Sequence, residues 1–354
     1  MEKLKKIQRT SAQQRAIKLV KDGFNLDING FAGTGKSFLI KDISSELTKL
    51  NRKFVLLAPT GVAAVNIQGS TFHSYFSIRP SAVLTEESAI WVKKEKRQLW
   101  ENVDTIIIDE KSMLRADILD AAFWNMRKNG IYKKHQWIFV GDLGQLEPVI
   151  TKNESQVYYN IYNSPYYYES IFFQQIDFKY VNLTKVHRQK DAEFIDALNK
   201  VRNGEKAHYF KQFVNLDKKD TEIYLCPTNQ QVREYNNEML TKIDKPLIFI
   251  DGFPSEEATQ NDFTVDFKLI LKDTCKIMYL INDNNGYNGM IGHLEVRNNT
   301  YWFIKSNGQK FLLSFYKWER IEYAWEKDVL IKKVKSYVTQ LPIKLAFSLT
   351  FHKA

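Results

Sequence analysis

The run GFAGTGKS, Gly30 to Ser37, sets glycines, a lysine and a hydroxyl at the spacing a phosphate-binding loop requires. Gly30 opens the loop. Gly33 and Gly35 let backbone N–H groups turn inward around phosphate oxygens without a Cβ clash, with Thr34 between them. The helix that follows offers its N-terminus to the negative charge. Lys36 is the residue to reach the β- and γ-phosphates, and Ser37 the hydroxyl to bind Mg²⁺. A second run, IIIDEKS, ends an apolar strand in a carboxylate pair. Asp109 there is the candidate Mg²⁺ partner, and Glu110 the base that polarises an attacking water. A third, VGDLGQLEPV, offers Gln145 to sense the γ-phosphate or place the water, with Asp142 orienting its loop. Alone, the pair is a solvated turn and the third run a plain one. Their order and distance behind the glycine loop point instead to a site for ATP and Mg²⁺.

Short apolar strands alternating with helical stretches must carry these groups. Phe24, Leu26 and Ile28 alternate just before the glycine loop, and Lys36 to Leu50 has helical spacing. KFVLLAP, DTIIIDE and QWIFVGD read as buried strands. Near-continuous apolar runs predict a parallel sheet covered on both faces, an α/β fold. Ligands bind such sheets at the carboxyl ends of the strands, where Gly30, Thr60, Asp109 and Asp142 fall. The polar stretch at residues 76–103 interrupts the pattern as an insertion. YVNL is another strand, and Asp191 to Arg202 a helix ending at Asn203-Gly204. EIYLC followed by PTNQQVREYNNEML restarts the strand–helix pattern in a second α/β domain. Residues 246–334 carry short β runs broken by Gly, Asn and Asp, which predicts a β-rich insertion.

The bulk numbers agree with an intracellular enzyme of two or three domains. The chain has 354 residues, 44% hydrophobic and 26% charged, with a formal net charge of +10. That balance favours a polyanionic partner, and 18 Tyr and 23 Phe suit a groove in which bases stack on rings. Most of those rings are nonetheless expected in the core. Cys226 and Cys275 form neither a metal spacing nor a disulfide framework, which fits a reducing compartment, cytoplasmic or nuclear. No apolar run is long enough to span a bilayer, so no membrane partner is expected.

Together the motifs resemble the superfamily-one helicases, and their spelling is similar to the Pif-type branch related to RecD and the phage Dda helicase. SAQQRAI resembles the family's upstream Q motif, which implies that Gln14 reads the adenine. APTGVAAVNI and STFHSYF resemble motif Ia and the stretch after it. IIIDEKSML resembles the family's DE-x-SM motif, with Lys111 where a hydrophobic residue is usual. GDLGQLEPV is close to its third motif, and LTKVHRQKD to its fourth. PTNQQVREYN, GYNGMIG and QLPIKLAFSLTFHKA resemble the second half. The likeness runs in order along nearly the whole chain. It implies two RecA-like domains, residues 1–182 and 183–354, the second incomplete at its C-terminus. It makes residues 76–103 a strand-splitting wedge and residues 246–334 an SH3-like module. It implies that Arg188 contacts the γ-phosphate as an arginine finger. It also lays Pro59, Thr60, Phe72 and His73 along the strand-binding groove and brings His352 and Lys353 to DNA. For His73, a core histidine satisfied by the backbone stands equally open.

The implied activity is ATP hydrolysis coupled to movement on single-stranded DNA, 5′ to 3′, with opening of duplex or forked DNA by a monomer. The family's last motif continues beyond TFHKA with Gln-Gly and a further arginine. The expectation is therefore that residues 1–354 bind Mg·ATP but turn it over slowly. An RNA helicase and an ATP-gated nucleic-acid clamp with impaired hydrolysis are the rival readings. A small-molecule kinase shares the glycine loop but leaves the later motifs unexplained, and no carboxylate cluster supports a nuclease.

Overall fold

The computed structural model describes residues 9–78, 83–187, 191–206, 208–213, 223–260, 263, 265–298, 300–326 and 329–350. Helix α1 (Ser11–Lys21) is fixed by a reciprocal cap. The Thr10 hydroxyl accepts from the Gln13 amide, and the Gln13 side chain accepts from the Thr10 amide. Then follow β1 (Asn25–Gly30), α2 (Lys36–Lys49), β2 (Phe54–Ala58), α3 (Gly61–Asn66), β3 (Ser70–Thr71) and α4 (Phe72–Phe76). The chain continues through α5 (Lys94–Asn102), β4 (Thr105–Ile108), α6 (Ala116–Lys128), β5 (Gln136–Gly141), α7 (Lys152–Tyr159), α8 (Ile171–Gln174), β6 (Phe178–Leu183) and α9 (Ala192–Arg202).

Strands β1 to β6 form one parallel sheet in the order β3-β2-β4-β5-β1-β6. Alternate residues feed two cores. Leu26, Ile28, Ile107 and Ile138 pack with Ile17 of α1 and Leu39, Ile43 and Leu47 of α2. Val55, Ile106, Ile108, Trp137 and Phe139 pack on the other face with Phe72, Phe76, Trp100 and Leu119. Burial on both faces is why β2, β4 and β5 read as near-continuous apolar runs.

A charged pair lies inside this layer. Lys111, just after β4, is fully buried and ion-paired to Asp27 of β1. The Tyr167 hydroxyl donates to the other Asp27 oxygen at 2.6 Å. A lysine at a position that favours a hydrophobe is thus matched by a carboxylate on a neighbouring element.

The chain divides into two compact units: Met1–Tyr209 with Arg320–Val334, and Phe210–Glu319 with Lys335–Ala354. The first unit therefore runs past residue 182, the boundary expected from sequence. Residues 320–334 are held in it by specific contacts. The buried Tyr323 hydroxyl accepts from the Leu56 amide at 2.9 Å, and the Lys332 ammonium donates to the Gln68 carbonyl at 2.8 Å.

In the second unit β7 (Tyr224–Cys226) is followed by α10 (Asn229–Thr241), which Thr228 caps. Next come β8 (Leu247–Asp251), β9 (Phe253–Pro254), β10 (Lys268–Lys272), β11 (Lys276–Tyr279), β12 (Ile291–Arg297), β13 (Thr300–Lys305) and β14 (Lys310–Leu312). The last elements are β15 (Tyr316–Glu326), β16 (Val329–Gln340), β17 (Ile343–Leu345) and β18 (Ser348–Thr350). β18 pairs parallel with β7, and Asn236 of α10 clamps it: Ser348 N donates to Asn236 Oδ1 at 2.8 Å, and Asn236 Nδ2 to Ser348 O at 3.2 Å. Between these α/β elements lie antiparallel sheets, the largest ordered β14-β13-β12-β11-β17. The β-rich stretch opens near residue 246 as expected but extends past residue 334. VKSYVTQ continues β16 instead of leaving the sheet.

Removing one partner from a buried ion pair leaves an uncompensated charge. Lys111→Met should destabilise the first unit by about 3–5 kcal/mol. Lys111→Met with Asp27→Leu and Tyr167→Phe should regain most of that. Denaturant unfolding followed by tryptophan fluorescence checks both, and a single variant as stable as the parent would refute the pairing.

Candidate nucleotide-binding site

The glycine loop joins β1 to α2. Gly33 and Gly35 take φ of +76° and +85°, the left-handed region that glycine enters without strain. A Cβ at Gly30 would lie 2.6 Å from Thr34 Oγ1 and 3.1 Å from Leu183 Cβ, so the loop closes tightly only with glycine there. The Thr34 hydroxyl donates to the Phe31 carbonyl at 2.8 Å. Lys36 Nζ donates to the carbonyls of Gly30 at 2.9 Å and Phe31 at 3.2 Å, which holds the ammonium over the loop. α2 has no side-chain cap and no acidic residue in its first turn. Its leading N–H groups and the positive end of its dipole are thereby left for an anion. Ser37 lies exposed in that first turn.

Asp109 and Glu110 follow β4. Asp109 is 8% exposed, and its Oδ1 accepts from the Glu110 amide at 2.9 Å. Burial first, then the charge of Glu110, push its carboxyl up to about 6, against the pull of that amide and of Lys36. Glu110 has φ of +52°, rare for a residue with a side chain. Strain of this kind costs on the order of 1–3 kcal/mol and gathers at functional sites. The hydroxyl of Ser37 and the carboxylate of Asp109 are the hard oxygen donors that Mg²⁺ prefers, and the field of Lys36 reaches Asp109. These residues fit the ion.

Asp142 follows β5 and organises the third loop. Its Oδ1 accepts from the Gly144 amide at 3.1 Å, and its Oδ2 from Gln145 Nε2 at 3.3 Å. Arg202 Nη1 donates to Oδ2 at 3.0 Å, and Nη2 bonds Oδ1. Burial would raise this carboxyl, but Arg202, the Gly144 amide and Lys36 outweigh it and hold the group below its ordinary value. Gln145 itself is exposed.

The Q-motif expectation is displaced by one residue. Gln14 is exposed, and its side-chain amide donates to the Arg9 carbonyl at 3.4 Å. Gln13 is buried, and its Nε2 lies 3.0 Å from where a Cβ on Gly35 would stand. The capping box turns Gln13 inward to the loop and leaves Gln14 on the outer face of α1. The doublet hid this, because only the cap at Thr10 distinguishes its members. Arg188 lies outside the described residues. His187, just before it, donates its amide to the Gly33 carbonyl at 2.8 Å.

The nucleic-acid candidates fare unevenly. Pro59 and Thr60 follow β2 and are half-buried, and the Thr60 hydroxyl caps α3 by accepting from Ala63 N at 3.2 Å. Phe72 is wholly buried and packs on Phe76 at 4.7 Å, so the expectation of a groove residue gives way to a core one. Thr71 caps α4 and directs position 72 inward. His73 is half-buried; burial lowers its pKa, with Asp117 opposing and Arg115 adding to the shift, which favours the uncharged ring. His352 and Lys353 lie outside the described residues. Sequence reasoning missed Trp91, 72% exposed within the 76–103 insertion. Its neighbours are pinned to α6 and the residue ending it: Ile90 N donates to Asn125 Oδ1 at 2.8 Å, and Val92 N to Asn129 Oδ1 at 3.0 Å.

The family profile of the PIF1-like helicases matches residues 4–211. The chain belongs to the PIF1-like helicase family. It is 30% identical to the ATP-dependent DNA helicase Pif1 of Campylobacter jejuni over 93% of this chain and 80% of that protein. A Bdellovibrio bacteriovorus ATP-dependent DNA helicase Pif1 is 28% identical over 98% of this chain and 80% of its own length. Among solved structures, a double mutant of Pif1 helicase from Bacteroides superposes with a TM-score of 0.89 at 29% identity, covering 99% of this chain and 84% of that one. The Bacteroides Pif1 complex with ADP-AlF4 gives 0.86 at 28%, covering 97% and 83%.

The raised carboxyl of Asp109 has a signed consequence for a PIF1-like site. Its folded pKa, about 6, exceeds the unfolded value, so its proton stabilises the fold below about pH 4 and that contribution is lost as pH rises through 6. Asp109→Asn should therefore raise the stability of the nucleotide-free protein at pH 7.5 by up to about 2–3 kcal/mol. The gain should vanish near pH 4, and Mg²⁺-dependent turnover should be lost. Unfolding at the two pH values checks it; a gain equal at both would overturn the assignment.

Proposed function

We infer that this PIF1-like chain is an ATP-dependent DNA helicase. The observation that carries the reading is the convergence of the Lys36 ammonium, the Asp109–Glu110 pair and the Asp142–Gln145 loop at the carboxyl ends of adjoining parallel strands. The uncapped start of α2 receives the triphosphate through backbone N–H groups, and Lys36 leaves its two loop carbonyls for the phosphate oxygens. Mg²⁺, when bound, neutralises charge on those oxygens, and Ser37 and Asp109 are the residues to hold it. Glu110 takes the proton of the attacking water, and Gln145 orients that water. Gln13, rather than Gln14, is the amide available to the base. Arg188 adds the positive charge that develops its value as the phosphate leaves.

The mechanical half of the reading rests on family likeness. One Bacteroides relative is described as bound to ssDNA; it superposes with a TM-score of 0.62 at 28% identity. Phosphate contacts and ring stacking make grip on a single strand sequence-tolerant, and the net charge of +10 suits it. Travel is 5′ to 3′, with Pro59, Thr60 and His73 along the strand and Trp91 meeting the duplex junction. A neutral His73 contributes hydrogen bonding there, not charge.

Lys36→Ala should abolish ATP hydrolysis with the thermal unfolding profile unchanged, and single-stranded DNA should stimulate the parent more than RNA of equal length. Trp91→Ala should slow fork unwinding while strand-stimulated turnover stays within about twofold. Retained hydrolysis in the lysine variant moves the active site elsewhere. Stimulation by RNA alone transfers the activity to that polymer, and ATP-dependent strand binding without turnover would make the protein a clamp.

A further inference from the structure

Arg202 is the last residue of α9, directly before the Asn203-Gly204 stop. On sequence grounds it is an ordinary cation in the final turn of a helix, where it offsets the dipole. It lies at the surface, but its side chain is engaged on two sides. The guanidinium lies 4.2 Å over the ring of Phe31, the second residue of the phosphate loop. Its two terminal nitrogens fork onto the two oxygens of Asp142. Gly144 leaves the space it occupies: a Cβ there would overlap the guanidinium. Only a flat, forked cation can stack on a ring and grip both carboxylate oxygens at once.

The same carboxylate carries the amide of Gln145, bound to the oxygen that Arg202 Nη1 also holds. α9 is, in addition, the helix that follows the segment containing Arg188. His187 donates its amide to Gly33 O, and Arg202 ties the end of α9 to Asp142. Asp191 caps α9 between them, accepting from Glu193 N and Phe194 N. We infer that Arg202 is a positioning residue for phosphate cleavage: clamped on Asp142 and laid on Phe31, it fixes where the Gln145 amide stands relative to the phosphate loop. It needs no contact with the nucleotide to do so. The inference rests on the helicase reading of the site and adds to it a residue that acts through Asp142.

The test uses the full chain and steady-state ATP turnover with saturating single-stranded DNA, together with binding of a fluorescent ATP analogue. Arg202→Met should lower kcat about 10- to 100-fold, the scale expected when a reacting group is displaced by about an ångström. KM for ATP and analogue affinity should stay within about threefold. Arg202→Lys should not rescue, since an ammonium cannot fork. Gly144→Ala, which keeps the charge but displaces the guanidinium, should reproduce the loss. Arg202→Met added to Gln145→Ala should cost nothing beyond Gln145→Ala alone, because one acts through the other. Full kcat in Arg202→Met overturns the proposal. So do multiplying losses in the double variant, or a loss that tracks a fall in melting temperature. The parent and Lys36→Ala, run alongside, separate this failure from a failure of the site itself: a parent without turnover, or a lysine variant with it, would indict the site.

Discussion

Backbone N–H groups at the start of a helix must find partners, and α2 starts without a side chain to satisfy them. α1, α3 and α10 each recruit a threonine hydroxyl for this purpose. α2 begins at a glycine in a left-handed conformation, directly behind a loop that Gly30 and Gly33 keep free of Cβ atoms. The unmet need for an acceptor lies where β1 ends. The other chemical groups are carried there by β4 and β5, whose parallel register brings their carboxyl ends to the same edge. Position in the sheet, more than any single contact, makes a site of residues that are far apart in sequence.

Two buried ionic groups of the first unit near the site are each matched by a partner on a different element. Lys111 meets Asp27, and Asp142 meets Arg202. Asp109 differs, bonded among described groups only by the next residue's amide, and it is the carboxyl whose proton affinity rises. That contrast separates carboxylates neutralised within the protein from one that is not, and it is why burial raises the carboxyl of Asp109.

The α/β layer and the helix at α9 were legible because burial on two faces imposes unbroken apolar runs, and because Asn203-Gly204 marks a helix end. The placement of Lys36, Asp109 and Gln145 beyond the carboxyl ends of parallel strands was legible because each follows an apolar run that must be a strand. What sequence could not reveal was direction around a helix and partnership across it. Gln13 and Gln14 differ by 100° of turn, and a capping bond decides which faces inward. Phe72 sits in a motif yet faces the core, since Thr71 sets the start of its helix. Arg202 looks like a dipole-compensating cation until folding lays it across Phe31 and Asp142. The β-rich stretch was recognised by its punctuation, but its end was misjudged, because alternation alone cannot tell a long strand from two short ones.

The insertion around Trp91 has one more implication. Its main chain is not a free loop: Asn125 and Asn129 grip Ile90 and Val92, and Lys128 donates to the Ala89 carbonyl at 2.7 Å. A load applied to the indole is therefore borne by side-chain amides rooted at the end of α6, not absorbed by bending of the strap. α6 begins only a few residues after Glu110. A tug at the protruding ring is thus passed to α6 as a rigid rod rather than lost in the strap.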